Sequence, residues 1–145
     1  MIKPFRYYIS EKLARKSQAN IGMARSLMEK SGIRLKRAAN EKISEENSSI
    51  LFEDIYESLR EASQALMELK GFKPYSHEAI VSFLKEYRLL PEEKIVIIDN
   101  YRILRNNSVY RAENVSVQKV SEALEFSKKT IKDIRSRFNS EVSKA

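Results

Sequence analysis

The stretch Phe52-Glu-Asp-Ile-Tyr-Glu-Ser-Leu-Arg-Glu-Ala-Ser-Gln-Ala-Leu-Met-Glu-Leu69 decides the fold of this chain. Its apolar side chains recur every three or four residues, which is the period of a helix with one buried face. They are Phe52, Ile55, Tyr56, Leu59, Ala62, Ala65, Leu66 and Leu69. Asn47, Ser48 or Ser49 is expected to cap the start of this helix, and Gly71 to end it in the left-handed conformation before Pro74. The pattern therefore predicts a long amphipathic helix.

Upstream of this helix, residues 1–9 are short and aromatic and are predicted to form an N-terminal arm. A first helix is predicted from Ser10 to Ile43, with a kink or a break at Ser31-Gly32, where the apolar spacing falters. The second half of this helix is basic, through Arg34, Lys36, Arg37 and Lys42. These cations suit a helix end electrostatically, and an RNA-facing patch is the functional alternative.

Downstream, a third helix is predicted after Ser76, with Ile80, Val81, Phe83 and Leu84 pointing inward. A fourth helix is predicted to begin at Pro91, because proline is well suited to the first helical position. The aliphatic run of residues 95–98 predicts that this helix is buried on most sides. A short strand is the competing assignment, since branched side chains favour strands.

The fourth helix is predicted to end at Asn106-Asn107-Ser108, because asparagine supports turns and tolerates the left-handed region. Ser116 is predicted to cap a final helix, and residues 139–145 to fray. The inward face of this helix is expected to hold Val120, Ala123, Leu124, Ser127, Ile131, Ile134 and Phe138.

The composition fits one all-α domain spanning residues 1–145. The chain has only three Gly and three Pro and almost no alternation of polar and apolar residues. No repeat or internal boundary interrupts it. We therefore predict an up-and-down bundle of about five helices joined by short loops.

Charge and residue types narrow the possible functions. Lys and Arg total 27 against 20 Asp and Glu, a net charge of +7, which favours anionic partners. Cysteine is absent and His77 is the single histidine, so we expect no metal site and no cofactor. Met1-Ile-Lys-Pro-Phe-Arg lacks the apolar core of a secretory signal, and no run reaches membrane-spanning length. We expect a cytoplasmic protein that does not contact membranes.

Three motifs occur in order in the last two thirds of the chain. The first is Leu69-Lys-Gly-Phe-Lys-Pro-Tyr-Ser-His77, at the junction of the second and third helices. The second is Tyr101-Arg-Ile-Leu-Arg-Asn-Asn-Ser-Val-Tyr110, and the third is Val115-Ser-Val-Gln-Lys-Val-Ser-Glu-Ala123. Across residues 50–138 the chain resembles a HEPN domain, with Arg105, four residues and then Tyr110 where the family has Arg, four to six residues and His.

The resemblance implies a small helical bundle that usually forms homodimers. Many members pair with a minimal nucleotidyltransferase as a toxin–antitoxin system. Active members are metal-independent ribonucleases whose Arg and His residues gather in a cleft at the dimer interface, whereas other members have lost these residues and act as binding partners.

The resemblance implies that Arg105 contacts the scissile phosphate, which its planar fork matches. It also implies that Asn106 either orients that arginine or bonds to the RNA backbone. Tyr110 occupies the position of the catalytic His. A phenol titrates near pH 10 and is a poor general base at neutrality, so Tyr110 is expected to hold a phosphate or to stack on a base. Arg102 and Arg111 flank the same segment as secondary binding candidates.

Alternatives to each assignment stay open. Arg105 is otherwise a surface ion-pair partner of Asp99 or Glu113, and Tyr110 an ordinary packed aromatic. His77 either has a structural role or replaces the missing base. On the last helix, Lys128, Lys132 and Arg135 either extend an RNA track, which salt would weaken, or form the solvated side of that helix.

Three functions follow. The first is a non-catalytic or weakly active HEPN-like dimer that binds RNA, a nucleotide or a nucleotidyltransferase. The second is a metal-independent ribonuclease toxin in which Arg105 and Tyr110, or His77, are catalytic. The third is a bundle used only for protein–protein assembly. Because Tyr110 lacks the chemistry of His, the first is preferred and enzymatic activity is left undecided.

Overall fold

The computed structural model describes residues 2–144, which form six α-helices and one pair of short strands. In chain order these are α1 (Phe5–Ser10), β1 (Ala14–Lys16), α2 (Ile21–Ala39), α3 (Ser48–Leu69), β2 (Phe72–Pro74), α4 (His77–Glu86), α5 (Glu92–Arg111) and α6 (Val117–Ser143). The prediction of an all-α helical bundle is confirmed. The strand pair and the sixth helix were not predicted.

Helix α3 is the element against which α2, α4, α5, α6 and β2 all pack. Its predicted apolar face is buried. Two carboxylates are buried with it, and each has a cationic partner. Arg34 Nε on α2 donates to Glu61 Oε1 at 2.9 Å, and Lys73 Nζ on β2 donates to Glu68 Oε1 at 3.1 Å. These pairs tie α2 and β2 to α3, because a buried carboxylate without a partner is strongly unfavourable.

The prediction of one helix from Ser10 to Ile43 is wrong. The Asn20 side chain accepts from the Met23 amide at 3.0 Å and starts α2 at Ile21, as expected of a capping residue. Helix α2 then runs unbroken past Ser31-Gly32, so the alternative of a break there is wrong. Before Asn20 the chain is extended, and Lys12 has a positive φ of 59°.

The two strands pair antiparallel, with Ala14 opposite Pro74 and Lys16 opposite Phe72. The pairing extends beyond the strands, because the Ser17 amide donates to the Gly71 carbonyl at 2.6 Å. The segment predicted as helix is therefore held against the turn after α3. Gly71 has a φ of +81°, which confirms its predicted left-handed conformation.

The predicted N-terminal arm is an integral part of the core. Phe5 and Tyr8 on α1 are buried, and the Phe5 ring packs edge-on against Phe72 and Phe83. The Tyr8 hydroxyl accepts from the Lys3 amide and donates to Glu78 Oε2, each at 3.2 Å. The aromatic residues that suggested an arm are thus the ones that anchor the segment.

The starts of the last four helices agree closely with the prediction. The hydroxyls of Ser76 and Ser116 accept from the Ala79 and Lys119 amides, which confirms both predicted caps. Pro91 is the residue before α5 rather than its first residue. Asn47 holds the cap position of α3, but its side chain bonds to the preceding loop and does not cap the helix.

Two helix ends and one burial pattern were predicted wrongly. Helix α5 continues through Asn106-Asn107-Ser108 to Arg111, because Ser108 is buried and donates to Glu53 Oε2 of α3 at 2.9 Å. The left-handed residue that ends it is Ala112. Val96 is 53% exposed, so this helix is not buried on most sides. Helix α6 extends to Ser143, although fraying was predicted from residue 139; Ala145 lies outside the described residues.

Gly71 provides a direct test of the turn that joins β2 to α3. A Cβ at position 71 would lie 2.7 Å from the Ser17 carbonyl oxygen, and the left-handed conformation adds strain. We expect Gly71→Ala to lower the free energy of unfolding by about 2 kcal/mol or more, measured by urea denaturation followed by circular dichroism. Gly22→Ala is the control, because its nearest neighbour would lie 3.7 Å away. Equal stability of the two variants would contradict this description of the turn.

Candidate functional site

Three arginines and the single histidine lie together where α3, α4 and α5 pack against one another. Helix α3 contributes Arg60, the start of α4 contributes His77, and α5 contributes Arg102 and Arg105. Burial lowers the pKa of His77, and the charges of all three arginines lower it further. We call these four residues the arginine cluster.

Two of the three arginines are neutralised by carboxylates. Arg60 Nε donates to Glu57 Oε1 at 2.8 Å. Arg102 Nε donates to Asp99 Oδ1 at 2.7 Å, and its Nη1 lies 3.5 Å from Glu78 Oε1. Although burial alone would raise the pKa of Glu57, the bond and charge of Arg60 lower it. Both ion pairs are partly buried, so water screens them less than it screens exposed pairs.

Arg105 is the exception. Its Nη1 donates to Asn106 Oδ1 at 3.2 Å, and within residues 2–144 it has no carboxylate oxygen within 4.0 Å. The hypothesis that Asp99 or Glu113 neutralises Arg105 is therefore wrong; Asp99 pairs with Arg102 instead. The expected role of Asn106 in orienting Arg105 agrees with this bond.

Tyr110 lies beside Arg105 even though both belong to one continuous helix. Residues five apart on a helix point about 140° apart, and the sequence therefore suggested that the helix must end between them. It does not end there, yet the Arg105 guanidinium carbon lies 5.8 Å from the centroid of the Tyr110 ring. The arginine side chain is long enough to reach the ring in spite of this angle. Arg105 and Tyr110 therefore form a cation–π contact.

The Tyr110 side chain is also open to solvent. The residue is 75% exposed, so the alternative of an ordinary packed aromatic is wrong. Arg111, the last residue of α5, is exposed and makes no bond to the arginine cluster. Of the predicted binding residues, the fold therefore brings Arg102, Arg105, Asn106 and Tyr110 into one region and leaves Arg111 at its edge.

His77 contacts a buried tyrosine that sequence reasoning assigned only to the core. Its Nδ1 lies 3.2 Å from the Tyr56 hydroxyl. Burial lowers the pKa of His77, and Arg60 and Arg105 lower it further. Burial also raises the pKa of Tyr56 well above its ordinary value, despite the nearby arginines. At neutral pH this pair is therefore a neutral imidazole and a protonated phenol.

Arg60 and Tyr56 are the site residues that the sequence analysis missed as such. Tyr56 was assigned to the apolar stripe of α3, and Arg60, four residues later, was given no role. The available signal was their spacing, because residues four apart project from the same face of a helix. Which neighbouring helix that face meets depends on tertiary packing.

The other basic residues lie elsewhere. Arg34 is engaged by the buried Glu61 and is not free for RNA. Lys128, Lys132 and Arg135 are exposed on α6 and face α2 across a groove. Within residues 2–144 no cluster of three potential metal-binding side chains occurs. No helix in this part of the chain combines the length and apolar character needed to cross a membrane.

The lowered pKa of His77 predicts how stability depends on pH. Because the pKa in the folded state lies below the ordinary 6.5, the unfolded chain takes up a proton first as the pH falls. The contribution of His77 is therefore full above pH 6.5 and is lost as the pH falls through the folded-state value. We expect a single imidazole titration below 6.5 by proton NMR, and a fall in unfolding free energy below about pH 6.5.

His77→Gln is the control for this titration and should flatten the stability profile between about pH 7.5 and about pH 5. Glu57 contributes at lower pH, because its pKa is lowered from 4.5. An imidazole pKa above 6.5 would show that the cations do not surround His77 as described.

Comparisons with protein-family models, with curated proteins and with solved structures found no match to this chain. The resemblance to HEPN domains therefore rests on the three sequence motifs and stays a prediction, as does a nucleotidyltransferase partner.

Proposed function

We propose that this chain binds a phosphate group of RNA through Arg105, as a HEPN-like protein that acts by binding. The observation that carries the proposal is that Arg105 is the one arginine of the cluster without a carboxylate partner among residues 2–144. A cation held near other cations is stabilised by an incoming anion. A guanidinium offers phosphate oxygens two parallel hydrogen bonds, which favours phosphate over other anions.

The neighbours of Arg105 suit a nucleic acid better than a free phosphate ion. Tyr110 presents an exposed ring beside the guanidinium, and a single-stranded base can stack on such a ring while its phosphate meets the arginine. Asn106 accepts from Arg105 and keeps its amide group available as a donor. These three residues supply a charge, a stacking surface and a donor.

Arg60 and Arg102 have a supporting role in this proposal. Each is bonded to a carboxylate, so neither is free to form the two parallel bonds that a phosphate prefers. Their ion pairs hold the side chains around His77 and leave the positive potential of the site concentrated at Arg105. Arg102 was predicted as a direct contact, and it is now proposed to position its neighbours.

We also propose that the chain forms a homodimer through the outer face of α5. Val96 and Ile103 lie seven residues apart and are 53% and 46% exposed, and Tyr110 follows at the same spacing, at the end where the seam would adjoin the RNA site. Asn100 and Asn107 alternate with them at three- and four-residue spacing. This is the spacing of a two-helix seam, in which asparagines can pair with their copies across a two-fold axis. An apolar stripe on an otherwise charged surface favours such a partner.

A second candidate function is RNA cleavage without metal, which the Tyr56–His77 contact favours. A neutral imidazole beside an unpaired arginine is the combination needed to move a proton from a 2′-hydroxyl while its phosphate is held. If Nδ1 carries the ring proton and donates to Tyr56, Nε2 is free to act as the base. The proton taken up at Nε2 makes the ring an imidazolium, which can then give that proton to the leaving 5′-oxygen.

Binding of RNA is tested by fluorescence anisotropy with a labelled single-stranded oligonucleotide at low salt. We expect Arg105→Ala to weaken binding about ten-fold or more, since charged hydrogen bonds contribute roughly 1.5–3 kcal/mol. Arg105→Lys should recover part of this loss, and Tyr110→Ala should lose about 1–3 kcal/mol of stacking. Arg137→Ala, which removes an exposed arginine from α6, is the matched control. Equal affinity of the Arg105→Ala and Arg137→Ala variants would exclude the proposed site.

The same mixtures of protein and RNA, incubated without metal and analysed by gel electrophoresis, distinguish RNA binding from RNA cleavage. Intact RNA in the wild-type reaction favours binding alone. Cleavage that both Arg105→Ala and His77→Gln abolish would replace the binding proposal with the ribonuclease. Cleavage that survives both substitutions would come from another source and would support neither function.

The homodimer is tested by light scattering during size-exclusion chromatography. We expect a mass twice the 16.9 kDa of one chain, and a monomer for Ile103→Glu, because a charge buried in the seam is unfavourable. Ile33→Glu is the control, since Ile33 is a similarly exposed isoleucine on α2, at 55%. A wild-type monomer, or a dimer unaffected by Ile103→Glu, would contradict the proposed seam.

A further inference from the structure

A basic groove runs between α2 and α6, two helices that contribute nothing to the arginine cluster. Two adjoining cavities of about 540 Å³ and 260 Å³ form it, and both are lined by Gly32, Lys36 and Arg135. We call this surface the α2–α6 groove. Its cations were noted in the sequence, but the proposed RNA site leaves them unused.

The cations of the groove lack internal partners. Within residues 2–144, four of them have no carboxylate oxygen within 4.0 Å: Arg25, Lys36, Lys132 and Arg135. Lys128 is bonded to Glu125 at 3.3 Å, and Glu29 is the one carboxylate that lines either cavity. The groove therefore carries a local excess of positive charge that the fold itself does not neutralise.

Gly32 leaves room for the Arg135 side chain in the groove. The Arg135 Nη2 atom lies 2.6 Å from the point where a Cβ of residue 32 would stand. Glycine inside a helix is unfavourable relative to alanine, and here it gives the guanidinium room to lie against the backbone of α2. The arginine side chain thus lies across the groove, and the residue stays exposed to solvent.

The floor of the groove is apolar. The apolar side chains that solvent reaches there are Ile33, which is 55% exposed, and the partly buried Leu35 and Ala39, and they lie above the buried Met28, Ile131 and Phe138. An apolar floor between two helices, with cations along both rims, matches a third helix that has one apolar face and acidic flanks. On α6 the cations recur at helical spacing, at residues 128, 132 and 135, and on α2 Arg25 and Lys36 lie about three helical turns apart.

We propose that the α2–α6 groove docks an acidic amphipathic helix of a partner protein. Charge complementarity identifies the occupant, since four unneutralised cations would each gain an anionic neighbour. A nucleic acid fits less well, because the aromatic residue that lines the groove, Phe138, is only 4% exposed and offers no ring for stacking. The apolar floor would also remain uncovered under a phosphate backbone.

The probe for this site is a labelled, designed helical peptide with leucines on one face and glutamates on both flanks. Its control is a peptide of the same composition in scrambled order, which lacks the apolar face. We expect the amphipathic peptide to bind more tightly than the scrambled one, and salt to weaken that binding. Lys36→Glu/Lys132→Glu should weaken it about ten-fold or more.

Two further variants separate the groove from general charge effects. Arg6→Glu/Lys85→Glu makes the same charge change at exposed residues of α1 and α4 and should leave binding unchanged. Gly32→Ala should weaken binding by displacing Arg135 while leaving the fold as stable as before or more so, an outcome that a general loss of structure cannot give. Arg105→Ala should have no effect, so failure of the RNA proposal would not affect this one.

Equal binding of the two peptides, or equal losses in the groove and control double variants, would overturn the proposal. A labelled single-stranded RNA provides the remaining comparison. If Lys36→Glu/Lys132→Glu abolished RNA binding while the acidic peptide failed to bind, the groove would be a nucleic-acid surface and the proposed protein partner would be wrong.

Discussion

The fold depends on the burial of two glutamates in its central helix. Glu61 and Glu68 are 2% and 1% exposed on α3, and a carboxylate in that position requires a cation. Arg34 of α2 and Lys73 of β2 meet this requirement. The arrangement of α2 and of the strand pair is therefore specified by charge as well as by apolar packing, since a shift of either would leave a carboxylate buried without a partner.

The arginine cluster follows from the same organisation. Because α4 and α5 both pack on α3, residues distant in sequence meet around His77. The chain balances this concentration of charge locally, with Glu57 for Arg60, and Asp99 and Glu78 for Arg102. Arg105 instead contacts the Asn106 amide oxygen and the Tyr110 ring. Arg105 is thus available to a ligand because the nearby carboxylates are paired with Arg60 and Arg102.

Much of the fold was predictable from local sequence. The stripe from Phe52 to Leu69, the caps at Ser76 and Ser116, and the left-handed Gly71 each depend on neighbouring residues, and each is found. The segment before Asn20 was not predictable in this way. Leu13 fits the spacing of the predicted first helix, but its segment is extended because it bonds to Gly71 and to β2, partners more than fifty residues away.

Part of the candidate site was also predictable from local sequence. Arg105, Asn106 and Tyr110 are neighbours in sequence, and their proximity could be anticipated, although not the unbroken helix that carries them. The continuation of α5 depends on the bond from Ser108 to Glu53, which no local pattern reveals. The roles of Arg60 and Tyr56 likewise depend on which helix faces α3, and the neutralisation of Arg102 depends on Glu78 from another element.

The burial of α1 decides where the protein can be labelled. The Lys3 amide and carbonyl are bonded to Tyr8 and Ser82, and Tyr8 reaches Glu78, which also contacts Arg102. An affinity tag or a dye joined near Lys3 would disturb a chain of contacts that leads directly to the arginine cluster. Ser143 and Lys144 at the other end are exposed. That end of α6 is the attachment point that leaves this chain of contacts undisturbed.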